Sequence, residues 1–158
     1  MSKQVLRRSW GWGIIAMMML LGAESAWSHC EIPCGIYDDQ MRVRMIAEHI
    51  KTIEKSMKEV KRLISDEPMN KNQMVRWVMN KEDHADQLQE IVTQYFMTQR
   101  ITPETDNYTK KLTVLHKMLI YAMKCKQTTD VTHVATLRTL LDEFSKLYFP
   151  GHEGHVDK

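Results

Sequence analysis

The stretch that decides the fold class is residues 46–64, which read IAEHIKTIEKSMKEVKRLI. Its apolar residues recur at alternating steps of four and three, at Ile46, Ile50, Ile53, Met57, Val60 and Ile64. This spacing predicts an α-helix with one apolar face, because residues three or four apart lie on the same side of a helix. Asp38 and Asp39 are candidate N-caps, and Asp66-Glu67-Pro68 ends the helix, since proline disfavours helical geometry before it.

The next segment, from about Gln73 to Gln99, has the same periodicity and is capped by Asn70 or Asn72. Its predicted inward positions are Met74, Val78, Lys81, Ala85, Leu88, Val92 and Tyr95. Lys81 interrupts this apolar stripe. Either its ammonium group reaches water at the edge of the protein, or the middle of the helix faces a polar site.

Two more helices follow. Thr102-Pro103-Glu104 has the composition of a helix start and predicts a third helix that runs to about Lys126. A fourth apolar stripe extends from Val134 to Tyr148, and Pro150-Gly151 stops it. Four amphipathic helices with short loops predict an all-α fold, an antiparallel up-down-up-down four-helix bundle over residues 38–150. We expect Cys125, alone in the third helix, to be a buried small hydrophobic residue.

Residues 1–28 have the pattern of a cleaved export signal. Lys3, Arg7 and Arg8 precede a short apolar run, and Ala26-Trp27-Ser28 places small residues at −3 and −1 before His29. The alternative is an uncleaved anchor, although the run is shorter than the roughly 20 apolar residues that a span needs. Cleavage predicts a periplasmic or extracellular protein with no membrane attachment afterwards, exported by either the general or the twin-arginine route.

Removal of residues 1–28 leaves 130 residues with 19 basic and 19 acidic side chains, so the formal charge is zero with histidine neutral. This balance gives no basic patch for nucleic acid. All three cysteines lie in the mature part, and an odd count in an exported protein indicates a free thiol or metal ligation. Residues 151–158 are expected to form a flexible tail.

The segment 29–37, HCEIPCGIY, concentrates metal-binding groups, and we call it the hook. If the chain starts at His29, its free amine, the next backbone amide and the thiolates of Cys30 and Cys34 can bind one metal ion. Pro33 and Gly35 suit the turn that brings Cys34 back. A planar set of two nitrogens and two sulfurs favours Ni(II) or Cu(II) over zinc. A Cys30–Cys34 disulfide is the simpler alternative.

The hook closely resembles the His-Cys-x-x-Pro-Cys-Gly-x-Tyr motif of the nickel-containing superoxide dismutases. This resemblance implies a homohexamer of four-helix bundles that converts superoxide to oxygen and hydrogen peroxide by Ni(III)/Ni(II) cycling. It implies one nickel ion per chain, held by the amine and imidazole of His29, the amide and thiolate of Cys30 and the thiolate of Cys34. Tyr37 would gate the substrate pocket, and Tyr95 would lie near it.

The chain also departs from this pattern around the ligands. Glu31 stands where the best-known members have Asp. In those members, a Glu and an Arg of the helical body orient the imidazole of the first histidine. Ile46 aligns near that Glu, and His84 aligns near that Arg. We expect Glu31, Pro33 and His84 to surround the ligands. Two other functions stay open at this point: an exported nickel or copper carrier that uses the same hook, and a structural bundle with a disulfide loop.

Overall fold

The computed structural model describes residues 37–150, which form four α-helices and no strand within that range. The all-α prediction is therefore confirmed for the part described. Residues 1–36 and 151–158, and with them the export signal, most of the hook and the tail, lie outside it. The helices are α1 (Asp39–Ile64), α2 (Lys71–Glu90), a π-helical segment (Ile91–Arg100), α3 (Tyr108–Gln127) and α4 (Thr132–Tyr148).

The predicted cap of α1 is confirmed at the first of the two aspartates. Asp38 has non-helical backbone angles, and its carboxylate accepts a hydrogen bond from the backbone N–H of Met41 at 2.8 Å. This contact satisfies one of the free N–H groups in the first turn. Asp39 is therefore the first helical residue, and its side chain is available for other contacts.

The apolar stripes of the helices form one core. α1 packs against α2 and α4, and α3 packs against α2 and α4. The stripe of α1 is buried except for its last member, Ile64, which is 61% exposed at the helix end. The largest fully buried side chains are Phe96, Phe144, Ile46, Ile50, Ile53, Met57, Leu88, Leu115, Met118 and Leu137. None of the helices within residues 37–150 has the length and apolar character to span a membrane.

The prediction for the second helix was wrong in two places. Val78 does not face the core and is 37% exposed. Asn80 lies against α1 instead, where its amide donates to the hydroxyl of the buried Ser56 at 2.9 Å. The α-helix also ends at Glu90, and the chain continues as a π-helix to Arg100 rather than as an α-helix to Gln99.

The predicted start of the third helix was also wrong. Thr102-Pro103-Glu104 lies in a turn, in which the backbone N–H of Thr102 donates to the hydroxyl of Thr105 at 3.0 Å. Asn107 then has a positive φ of 57°, in the left-handed region that Asn tolerates better than most residues. A right-handed helix cannot continue through such a residue, so α3 begins at Tyr108.

Lys81 matches neither of its two sequence interpretations. Its side chain is buried, and the ammonium group donates to the backbone carbonyl of Lys126 at the end of α3. The carbonyl of Thr128 lies 3.5 Å away, and the carboxylate of Glu82 lies 3.2 Å away. A cation at this position satisfies free carbonyls and complements the dipole of α3. Cys125 is fully buried as predicted.

We predict that Lys81→Met lowers the free energy of unfolding by roughly 1–3 kcal/mol, because the helix-end carbonyls lose a buried donor. Urea denaturation measures this difference. Lys51→Met is the matched control, since Lys51 is exposed on α1 and should change stability little. Equal stability of the Lys81 and Lys51 variants would contradict the capping role.

Candidate functional site

The structure brings two of the predicted site residues, Tyr37 and Tyr95, together. Tyr37, the last residue of the hook, is 41% exposed, and its ring meets the ring of Tyr95 edge-on with centroids 5.9 Å apart. The guanidinium of Arg100 lies over the Tyr37 ring, 4.2 Å from its centroid. Tyr95 is buried at 6% exposure. An exposed tyrosine thus rests on a buried tyrosine and a cation.

The side chain of Asp39 holds this group together. Its carboxylate accepts hydrogen bonds from the Tyr95 hydroxyl at 2.6 Å and the Tyr148 hydroxyl at 2.8 Å. Arg100 adds two parallel bonds, from Nε at 2.9 Å to one oxygen and from Nη2 at 2.8 Å to the other. This two-pronged geometry is the strong form of an arginine–carboxylate pair. One carboxylate therefore joins α1, the π-helical segment and α4.

The π-helical winding explains how Tyr95 and Arg100 reach the same carboxylate. In an α-helix, residues five apart are separated by about 1.4 turns and point in different directions. In a π-helix, hydrogen bonds join residues five apart, so these residues lie one above the other. The side chains of Thr98 and Gln99 reinforce this spacing by donating to the carbonyls five residues earlier, at 2.8 and 3.0 Å.

The electrostatics of this cluster favour an ionised Asp39. Burial opposes ionisation, but the hydrogen bonds from Arg100, Tyr95 and Tyr148 outweigh it and hold the pKa of Asp39 below its usual value. Burial, together with the hydrogen bond to Asp39, raises the pKa of Tyr95 and raises the pKa of Tyr148 to about 12. At neutral pH the phenols therefore keep their hydrogens and donate them to the carboxylate.

The structure places His84 in a different contact. Its Nδ1 lies 2.9 Å from Nδ1 of His49 on α1, so one of these nitrogens donates and the other accepts. His49 is 7% exposed, and its Nε2 has no hydrogen-bond partner within residues 37–150. Burial first, and His84 second, lower the pKa of His49. His49 is ten residues beyond Asp39, about 15 Å along the helix, so this pair is separate from the tyrosine cluster.

The predicted ligands and two of their predicted neighbours, His29, Cys30, Glu31, Pro33 and Cys34, lie outside the described residues, and their roles stay predictions. Within residues 37–150 no three histidine, cysteine or acidic side chains form a cluster that could hold a metal ion. The described cysteine, Cys125, is fully buried, and burial raises its thiol pKa to about 11. A thiol that keeps its proton is a poor metal ligand.

Comparison with known families decides the assignment. A family model described as nickel-containing superoxide dismutase matches residues 24–151, a range that includes the whole hook and the four helices. The chain belongs to this family. It is therefore an oxidoreductase acting on superoxide, with nickel as its cofactor. No curated protein and no solved structure gave a significant match.

Sequence reasoning missed three members of the tyrosine cluster in this superoxide dismutase. Asp39 is of a residue type that often caps helices, but the residue that caps α1 is Asp38. Arg100 could be placed beside Tyr95 only by recognising the π-helix. Tyr148 was predicted to face inward, but its hydroxyl had no predicted partner. His49 was missed as well, although its position one turn after Ile46 and on the same face as Ile46 and Ile53 was a usable signal.

We predict that Asp39→Asn lowers the free energy of unfolding by roughly 1–3 kcal/mol at neutral pH, because Arg100 loses a partly buried counter-charge and two charge-assisted hydrogen bonds. The pKa of Asp39 is depressed in the folded state, so its contribution is present above the unfolded value of 3.8 and disappears as the pH falls through the folded value. The difference between wild type and variant should therefore shrink in acid.

Urea denaturation at neutral pH and below pH 3.8 measures this difference. Asp142→Asn is the matched control, since Asp142 is an exposed carboxylate on α4. If the difference in free energy of unfolding between wild type and Asp39→Asn stays constant below pH 3.8, the charge of the carboxylate is not what stabilises the cluster.

Proposed function

We propose that this superoxide dismutase works through a nickel site in the hook, and that the site exists only after cleavage between Ser28 and His29. The match of the nickel superoxide dismutase family to residues 24–151 carries the proposal, since it includes the hook and the helical body in one alignment. The export signal of residues 1–28 would deliver the chain to the periplasm or the exterior, so nickel would be loaded after export.

The proposed ligands are the amine and imidazole of His29, the amide and thiolate of Cys30 and the thiolate of Cys34, with one nickel ion per chain. Their chemistry would fit nickel, because thiolates and an ionised amide are strong electron donors to this ion. The burial of Cys125 supports this choice, since it leaves Cys30 and Cys34 as the cysteines available to ligate. A nickel ion held by these residues would supply the redox chemistry that disproportionates superoxide, through the Ni(III)/Ni(II) couple.

Tyr37 is proposed to restrict access to the nickel and to contact the diatomic molecule that enters. Its partial exposure and its position at the end of the hook, three residues after Cys34, support this role. Tyr95 would act beside it from a fixed position, because its hydroxyl hydrogen is donated to Asp39. Glu31 and Pro33 are proposed to orient the ligands from within the hook, and the same role is proposed for His84 from the family resemblance alone.

The finer architecture belongs to the same proposal. The packing of α1 and α3 each against both α2 and α4 is what an antiparallel up-down-up-down bundle would give. Assembly into a homohexamer is proposed from the family resemblance alone. The neutral charge of the mature chain would not oppose such self-association.

We predict that Cys34→Ser abolishes nickel binding in the planar thiolate form together with dismutase activity, because one of two sulfur ligands is lost. Cys125→Ala is the matched control, since it removes a thiol from the same chain outside the hook and should leave nickel content unchanged. The measurements are nickel per chain, the thiolate-to-nickel absorption bands and a superoxide assay. Normal activity of Cys34→Ser would overturn the ligand assignment.

We predict a different outcome for His29→Ala. The chain keeps its free amine and both thiolates, so it should retain nickel, whereas loss of the imidazole should lower activity roughly 10- to 100-fold or more. Nickel per chain and the superoxide assay together separate an enzyme from a carrier. Wild-type protein that holds nickel at one per chain without dismutase activity would be a carrier, and the proposed site of catalysis would be wrong.

A further inference from the structure

We propose that Asp39 and Arg100 are the positioning residues for Tyr37 and Tyr95. Asp39 would hold Tyr95 directly, and would hold Tyr37 through Arg100. This inference rests on the proposed function, because it explains how the proposed gate is kept in place. The geometry of the cluster itself is independent of nickel.

The direct contact is the hydrogen bond between Asp39 and Tyr95. The phenol donates to the carboxylate at 2.6 Å, the short distance of a charge-assisted hydrogen bond. The ring packs edge-on against Phe96 with centroids 5.1 Å apart, and Phe96 packs against Phe144 at 4.9 Å. Tyr95 is therefore fixed at both ends, at its ring by the core and at its hydroxyl by Asp39.

The indirect contact joins Asp39 to Tyr37 through Arg100. Tyr37 is 41% exposed and lacks the packing of a core residue. One face of its ring meets the Arg100 guanidinium at 4.2 Å, a cation–π contact. Both guanidinium bonds to Asp39 lie in the plane of the arginine fork, so Asp39 fixes the plane on which the Tyr37 ring rests.

The direct and the indirect contact predict different effects for Arg100→Met and Asp39→Asn. Loss of the guanidinium should release Tyr37 and leave Tyr95 held by Asp39. Loss of the carboxylate charge should weaken both contacts, because Tyr95 loses its strong acceptor and Arg100 loses the partner that fixes its plane. A purely structural ion pair would give no such difference between the tyrosines.

Fluorine NMR of nickel-free protein containing fluorotyrosine separates these cases, with Tyr37→Phe and Tyr95→Phe assigning the two resonances. Arg100→Met should shift the Tyr37 resonance toward its position in unfolded protein and shift the Tyr95 resonance by much less, because Asp39 still holds the Tyr95 hydroxyl. Asp39→Asn should shift both. Arg138→Met is the matched control, since that guanidinium also binds a carboxylate, on Glu54, and should shift neither. A Tyr37 resonance that does not move in Arg100→Met would overturn the proposal.

Kinetics of the nickel-loaded protein give the second readout. Arg100→Met should lower kcat/KM roughly tenfold to hundredfold through a raised KM, at unchanged nickel content, because misplacement of a positioned group by about 1 Å has effects of this size. Arg100→Lys should recover part of the loss, since lysine keeps the charge without the planar fork.

A loss confined to kcat with an unmoved fluorine spectrum would give Arg100 a direct part in the reaction and would contradict positioning. Failure of the proposed function is distinguishable from failure of this inference. Wild-type protein without dismutase activity would remove the function, whereas the fluorine spectra of the nickel-free protein would still decide whether Asp39 and Arg100 hold the tyrosines.

Discussion

The carboxylate of Asp39 is the contact on which the packing at the start of α1 depends. It is partly withdrawn from water at the first residue of α1, and such a charge is tolerated only when hydrogen bonds replace the lost hydration. Arg100, Tyr95 and Tyr148 supply four of them from two other elements of the fold. The point at which the chain passes from hook to helix is thereby fixed to the body.

The helical body and the hook differ in the chemical groups that they contribute. The helical body supplies apolar packing and a few buried polar contacts between α1 and α2, such as His49 with His84 and Ser56 with Asn80. The thiolates and the amine that suit nickel are proposed to come from the hook. Tyr37 is the last residue of the hook, and its ring contacts Arg100 and Tyr95 of the body.

Sequence reasoning predicted the elements that depend on periodicity and missed those that depend on long-range contacts. The stripe of α1 and its cap at Asp38 followed from local patterns. The π-helix did not follow from them, because its local sequence pattern does not distinguish π winding from α winding. The contact that uses this winding joins Asp39 to Arg100, 61 residues away. Thr102-Pro103-Glu104 had the residues of a helix start, but the left-handed Asn107 delays α3. The family was predicted from the hook motif and confirmed, whereas Asp39 and Arg100 required the structure.

The central claim is that processing creates a nickel ligand, since the amine of His29 exists only once the bond after Ser28 is cut. N-terminal sequencing of the active protein tests this claim most directly. We expect His29 to be the first residue in every active preparation. An active enzyme that begins at Ser28 or earlier would contradict the claim, because the amine would be displaced from the metal by at least one residue.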